Sequence, residues 1–329
     1  MEPKITTQEA VDFLGVSLPA IHKKLKTLNL SYKKIKNKVY FGHETARKLF
    51  NIPFKKKIIA IQIVKGGTGK TSITQSVAIR ASLYGARVLC LDLDQQGNLT
   101  QSFSIQSENL PIMIDVLKDS MPIEDAIIPI IPGVDLLPSR IENAVLDSYL
   151  MLNRYPLNNV YKDKLVPLKE KYDLILIDCP PALGSSVTAA ALSSDLVIAP
   201  LTPENFCFSG LKITHNELLN IMENFHVEIP FRLLLNKFDG RTSLSGEVLE
   251  TLTKHPIYGE LRYKRPIRIS QDFPNIVTKG GSIFDNLKAT TSKEDIDLLT
   301  REILQLQNTT GPSVSLGSLE NSPELAMSA

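Results

Sequence analysis

The run Lys65-Gly66-Gly67-Thr68-Gly69-Lys70-Thr71, with Ser72 behind it, brings together the residue types that hold phosphate groups. Glycines let backbone N–H groups crowd around an anion, and a helix opening at the loop adds its positive end. A lysine supplies a point charge, and a hydroxyl can ligate magnesium. Lys70 and Thr71 stand in those last two roles. Three carboxylates follow: Asp92 and Asp94 in Leu91-Asp92-Leu93-Asp94-Gln95-Gln96-Gly97-Asn98, and Asp178 at the close of Asp173-Leu174-Ile175-Leu176-Ile177-Asp178. Phosphoryl transfer asks for positioning and charge neutralisation more than covalent chemistry. A phosphate cradle, a metal-holding carboxylate and a carboxylate that aligns water therefore suffice. Each part has a plainer reading as a tight turn or a solvated strand end. Seven specified positions directly after an apolar run leave that reading little room.

Such groups work together only if strands deliver them to one crevice. Apolar runs at residues 58–64, 87–91, 134–137, 173–177, 196–199 and 232–235 alternate with helical segments. The alternation predicts an α/β fold, a mostly parallel, doubly wound sheet with helices on both faces. In such sheets the crevice lies at the carboxyl ends of the strands, where the loop and all three aspartates fall.

A length of 329 residues predicts about two domains. With 43% hydrophobic and 22% charged residues the chain reads as globular. No apolar run approaches the roughly 20 residues needed to span a bilayer, and the start lacks a signal peptide's apolar core. Cys90, Cys179 and Cys207 lie in or beside apolar segments without CxxC spacing, which predicts reduced core residues in a cytoplasmic protein. Charge is uneven: residues 1–57 hold 13 Lys and Arg against 4 Asp and Glu, a balance of +9 in a chain of net +2. That basic end is a candidate nucleic-acid surface.

Residues 1–52 carry the spacing of a winged helix-turn-helix. Thr6-Thr7-Gln8-Glu9 is a capping box for a helix through Val11, Phe13 and Leu14, and Gly15 ends it. Ser17 can cap a second helix with Pro19 in its first turn and Ile21, Leu25 and Leu28 on one face. Residues 30–41 read as two short strands about a polar turn, and residues 44–50 as a further helix. His22, Lys23 and Lys26 are expected on the exposed face of the second helix, with Lys33, Lys34, Lys36 and Lys38 on the hairpin. Lysines hold phosphates rather than read bases, which leaves His22 and Asn29 as base readers. The plainer alternative is a solvated basic domain. Residues 53–57 form a short basic linker, residues 58–307 the main domain, and residues 308–329, rich in Ser, Gly and Pro, read as a disordered tail.

The phosphate loop departs from the general Walker pattern, with Val64 where a glycine is usual and Lys65 ahead of the paired glycines. On that loop, the Asp92–Asn98 stretch and the Asp178-Cys179-Pro180-Pro181 turn, the chain resembles the ParA/MinD family of dimeric ATPases over roughly residues 57–306. Its first 52 residues resemble the MerR-type DNA-binding domain. The family resemblance implies ATP and Mg2+ as cofactors and an ATP-dependent homodimer in which Lys65 reaches the partner's phosphates. It implies that Lys65, Lys70 and Asp94 serve catalysis, with Asp94 aligning or deprotonating water. Residues 65–72 and Asn236 would contact nucleotide, and Thr71, Asp92 and Asp178 would serve magnesium. The stretch Asn236-Lys237-Phe238-Asp239-Gly240-Arg241-Thr242 resembles the partition branch, placing Asn236 near adenine. Arg241 would sit on a face that binds duplex DNA without sequence preference, and Lys264, Arg265, Arg268 and Lys279 would extend that face. Gln95 replaces the family's proline in the Asp94 loop, and Lys264 replaces another on the adenine side. The implied function is DNA partition in the cytoplasm on the nucleoid. A ParB-like centromere-binding partner would stimulate hydrolysis, and the N-terminal domain would repress its own operon. Two readings of other kinds stand beside it: an ATP-tuned transcriptional regulator, and a positioning ATPase for a non-DNA cargo. A MinD-like membrane anchor is disfavoured, because residues 320–329 have no basic stripe and contain Pro323.

Overall fold

A computed structural model describes residues 1–204 and 207–306, apart from the side chains of residues 277–279. The expected disordered tail and the Lys279 side chain lie outside the described residues. Seven strands form the main sheet: β4 (Lys57–Ile61), β5 (Val88–Asp92), β6 (Ile128–Ile131), β7 (Val134–Leu137), β8 (Leu174–Asp178), β9 (Leu196–Leu201) and β10 (Phe231–Leu235). Their order is β10-β9-β4-β8-β5-β7-β6, parallel except for β6, which runs antiparallel to β7 at the edge. The sheet is the one expected, with β6 added. That strand escapes sequence reading because Pro129 interrupts it, and a proline in a strand is tolerated only at such an edge.

The period of two along each central strand divides the core into two layers. Ile58, Ala60, Leu89, Leu91, Ile175 and Ile177 face one side, with the helices Ser185–Leu192 and Cys207–Phe225. Ile59, Ile61, Val88, Cys90, Leu174 and Leu176 face the other. There they meet α4, numbered after three helices of the N-terminal unit and spanning Lys70–Leu83, and the helix Thr291–Ile303. Strands buried on both faces read as continuous apolar runs, and each fully buried Ile or Leu contributes about 1.5–3 kcal/mol. All three cysteines are free and buried.

The N-terminal unit contains α1 (Thr7–Leu14), α2 (Leu18–Thr27) and α3 (His43–Phe50), with a sheet ordered β1-β3-β2 from β1 (Ile5–Thr6), β2 (Lys33–Ile35) and β3 (Lys38–Phe41). The capping box forms: Thr6 N–H donates to Glu9 Oε2 at 2.8 Å and Glu9 N–H to Thr6 Oγ1 at 3.1 Å. Gly15 ends α1 in the left-handed region, with φ of 66°. Ser17 stands at the start of α2, but its side chain makes no capping bond, and Leu28 is exposed rather than on the packed face. The two-residue β1 was not expected, since so short a run carries no periodicity.

This unit is seated on the far end of α4. Its apolar residues are continuous with the α4 side of the sheet, and Phe13 and Phe50 pack against Tyr84 with ring centroids 4.7 and 6.0 Å away. Arg80, only 2% exposed, donates to Asp297 at 2.6 Å and to Glu9 of α1 at 3.1 Å. Burial opposes its charge, but Tyr84, Asp297 and Glu9 outweigh that and hold its pKa above the usual arginine value. His43 Nδ1–H donates to the Ser82 carbonyl at 2.9 Å, and Arg47 donates to Asp173 at 2.9 Å and to the Gly85 carbonyl. Gly85, at φ of 92°, lies so close to the Arg47 backbone that a methyl group there would collide with it.

Candidate functional site

Register brings the carboxylates together. Asp178 ends β8 opposite Ile61 of β4 on one side and opposite Asp92 of β5 on the other, so the loop leaving β4 passes directly over them. The strand ends at Ile61, three residues earlier than its apolar run suggests, and Val64 N–H is taken by Thr214 Oγ1 at 3.0 Å. Gly67 and Gly69 adopt φ of 74° and 91°, and a side chain on Gly66 or Gly67 would meet nothing within 4 Å, so the cradle is open above. A methyl at Gly69 would instead strike the Asn236 amide.

Thr71 Oγ1–H donates to Asp178 Oδ2 at 2.7 Å, and Thr74 Oγ1–H reaches Asp178 Oδ1 at 3.4 Å. Lys70 is buried, its pKa drawn below the usual lysine value by that burial, and its ammonium folds back onto the Lys65 carbonyl at 3.0 Å. Lys65 pairs with Glu204 at 2.6 Å, and Thr202 also donates to Glu204, at 2.9 Å. Ser72 is partly buried on the first turn of α4.

Asp92 and Asp178, 0% and 1% exposed, both have pKa values raised above the usual carboxylate range. Burial is the main cause for both; Asp92 also raises Asp178 across the register, and Asp94 raises Asp92. Asp92 spends both oxygens on its own chain, accepting from Thr100 N–H at 2.9 Å, Thr100 Oγ1–H at 2.8 Å and Asp94 N–H at 3.2 Å. These bonds brace the Asp94 loop. Asp94 accepts from Gln96 N–H at 3.0 Å through Oδ1, in a turn closed by Gly97 at φ of 62°.

Together these residues fit magnesium with a phosphate. A hydroxyl and a carboxylate are hard oxygen donors, and a dication before them would offset two buried carboxyls that repel each other. No group of three or more His, Cys, Asp or Glu among the described residues could cage a metal alone. Magnesium needs none, since it takes one or two protein oxygens and completes its shell with water and phosphate.

The remaining expected residues divide. Asn236 is buried and donates through Nδ2 to the Thr68 carbonyl at 2.7 Å, and Lys237 Nζ reaches the Gly67 carbonyl at 2.7 Å, a loop brace with no signal in the sequence. Arg241 is exposed and paired with Asp239 at 2.8 Å, and Lys264 and Arg265 are exposed. Arg268, expected on a DNA face, instead gives its guanidinium to Asp295 at 2.6 Å and Glu294 at 2.8 Å, which clamps residue 268 to the helix Thr291–Ile303. His22 is likewise half-buried, with Nε2 enclosed, not on the exposed face of α2. Lys38 is held, donating to the Leu287 carbonyl at 2.9 Å. Lys23, Lys26 and Lys36 are exposed as expected.

A family model described as an AAA domain matches residues 56–231, more than half of the chain. The sporulation initiation inhibitor protein Soj of Bacillus subtilis is 31% identical over 224 residues, covering 65% of this chain and 87% of Soj. The chain belongs to the ParA/MinD family. A second member, the chromosome partitioning protein ParA of Myxococcus xanthus, is 30% identical, covering 65% of this chain and 77% of that one. Among solved structures, the McdA–ATP complex from Cyanothece superposes with a TM-score of 0.70 over 78% of this chain and all of that one. Its 20% identity makes it evidence of the shared ParA/MinD fold alone. The matched span takes in the phosphate loop, Asp92, Asp94 and Asp178 and leaves out the N-terminal unit.

Proposed function

We propose that this chain is a magnesium-dependent partition ATPase. The observation that carries the reading is the contact between Thr71 and the buried Asp178, directly beneath an open glycine loop that begins with Lys65. Magnesium, when bound, would neutralise phosphate charge; Thr71 and Asp178 would hold it. Lys70, released from the Lys65 carbonyl, would meet the phosphates, and Asp94, on a turn braced by Asp92, would align water. Lys65 would leave Glu204 to act across a homodimer.

The closed dimer would bind duplex DNA without sequence preference through Arg241 and Arg265. A ParB-like partner on the cargo's centromere would stimulate hydrolysis and release it. The N-terminal unit would be a winged helix-turn-helix that holds operator DNA through Lys23, Lys26 and Lys36.

The full chain carrying Lys23→Ala and Lys26→Ala, which silences α2 without removing it, is titrated with random duplex DNA in ATP, ADP or no nucleotide. Binding confined to the ATP state supports partition on a DNA matrix. Equal binding, or none, in all three states sinks it and leaves the positioning and regulator readings.

A further inference from the structure

The hairpin of the N-terminal unit does not stand free beside the body. Lys38 Nζ donates to the Leu287 carbonyl at 2.9 Å, Lys4 N–H to the Phe284 carbonyl at 3.0 Å, and Lys4 Nζ to the Asp285 carbonyl at 2.7 Å. The body's segment 284–288 is therefore held at a fixed place against β3. Behind it, Lys293 Nζ donates to the Asn286 carbonyl at 2.6 Å and the Lys288 carbonyl at 2.7 Å, and Asn286 Oδ1 accepts from Lys288 N–H at 2.9 Å. The backbone of Lys288 is thus fixed on both sides while its side chain is exposed.

Lys288 and Lys38, with Leu18 at the start of α2, rim one cleft of about 570 Å³. Lys288 therefore lies beside the hairpin and the start of α2, the surfaces on which the proposed duplex would rest. Most of the cleft's carboxylates are paired: Glu9 and Asp297 with Arg80 at 3.1 and 2.6 Å, and Glu294 with Arg268 at 2.8 Å. Asp12 and Glu294 are the exposed carboxylates of the cleft that work against an anion, and Asp12 accepts from Gln8 Nε2 at 3.0 Å.

We infer that duplex DNA held by the N-terminal unit is also gripped by the body, with Lys288 making a phosphate contact beside the hairpin. The inference rests on reading the N-terminal unit as a duplex binder. It makes the DNA surface a joint one whose geometry is set by the seating of the unit. A phosphate contact positions the duplex and carries no sequence information, so Lys288 strengthens binding to all sequences alike.

The test measures affinity of the full, nucleotide-free chain for a labelled duplex across a salt series, in the native protein and in Lys288→Ala, Lys288→Arg and Lys23→Ala/Lys26→Ala. Each lost phosphate contact lowers the slope of log K against log salt by about 0.9. Lys288→Ala is expected to lose that amount, with Lys288→Arg restoring it. If Lys23→Ala/Lys26→Ala weakens binding while Lys288→Ala leaves the slope unchanged, the body contact is wrong and the N-terminal reading stands. If neither variant changes binding, the N-terminal reading fails and this inference falls with it.

Discussion

Asp178 combines two properties that conflict in the protein alone: it is buried, and it lies opposite a second buried carboxyl. Removing its charge should therefore stabilise the nucleotide-free protein while destroying its use. Asp178→Asn keeps an acceptor for Thr71 and is expected to raise Tm without nucleotide, by about 2–4 °C for each kcal/mol relieved. Magnesium-ATP should then fail to raise Tm further. A lowered Tm in the variant would show that the charge is not a burden to the fold. Asp94 has the opposite expectation, since the proposed role has it act only on the water. Asp94→Ala should retain ATP-bound dimers by size-exclusion chromatography and lose hydrolysis by roughly 10²-fold or more; hydrolysis at the native rate would remove its water-aligning role.

Among the elements, α4 carries the most. Its first turn holds Lys70 and Thr71, and its last turns receive the N-terminal unit through Arg80, Ser82 and Tyr84. Arg80→Ala removes a buried guanidinium from Asp297 and Glu9, but Asp297 keeps Arg301 at 2.9 Å, so the expected loss is about 1–3 kcal/mol. Urea unfolding should show that loss. His43 gives the same junction a pH dependence. Burial lowers its pKa below the ordinary 6.5, so the folded chain holds it neutral where the unfolded chain begins to protonate. Its contribution is complete above about pH 6.5 and is lost as pH falls from there towards its lowered folded value. His43→Gln should flatten that part of the stability profile; an unchanged acid limb would place the dependence elsewhere.

For the whole molecule, seating the N-terminal unit on α4 makes it part of the core. The shared apolar layer predicts one cooperative thermal transition for the described chain, coincident by circular dichroism and by a probe on α2. Two separated transitions would contradict it. Deleting residues 1–52 would bare Tyr84 and the end of α4, so such a truncation reports lost stability along with any loss of the proposed DNA contact. Point substitutions on α2 avoid that confusion.

The chemistry was legible in the sequence because it is local. A glycine loop, a lysine and a hydroxyl at fixed spacing after an apolar run make a phosphate cradle wherever the chain takes them. Strands buried on both faces announce themselves as unbroken apolar runs, and the α1 capping box needs only Thr6 and Glu9. What the sequence could not decide were pairings between distant residues. An arginine after a turn looks solvated until Asp295 arrives from 27 positions away to hold Arg268. His22 is half-buried, and Lys38, though exposed, spends its ammonium on the Leu287 carbonyl, for the same reason. Arg80 gave no signal, since a lone arginine on a helix reads as surface until α1 and the helix Thr291–Ile303 enclose it. Local spacing fixes what a residue can do; tertiary packing decides which partner takes its charge, and so whether that charge remains available to a ligand.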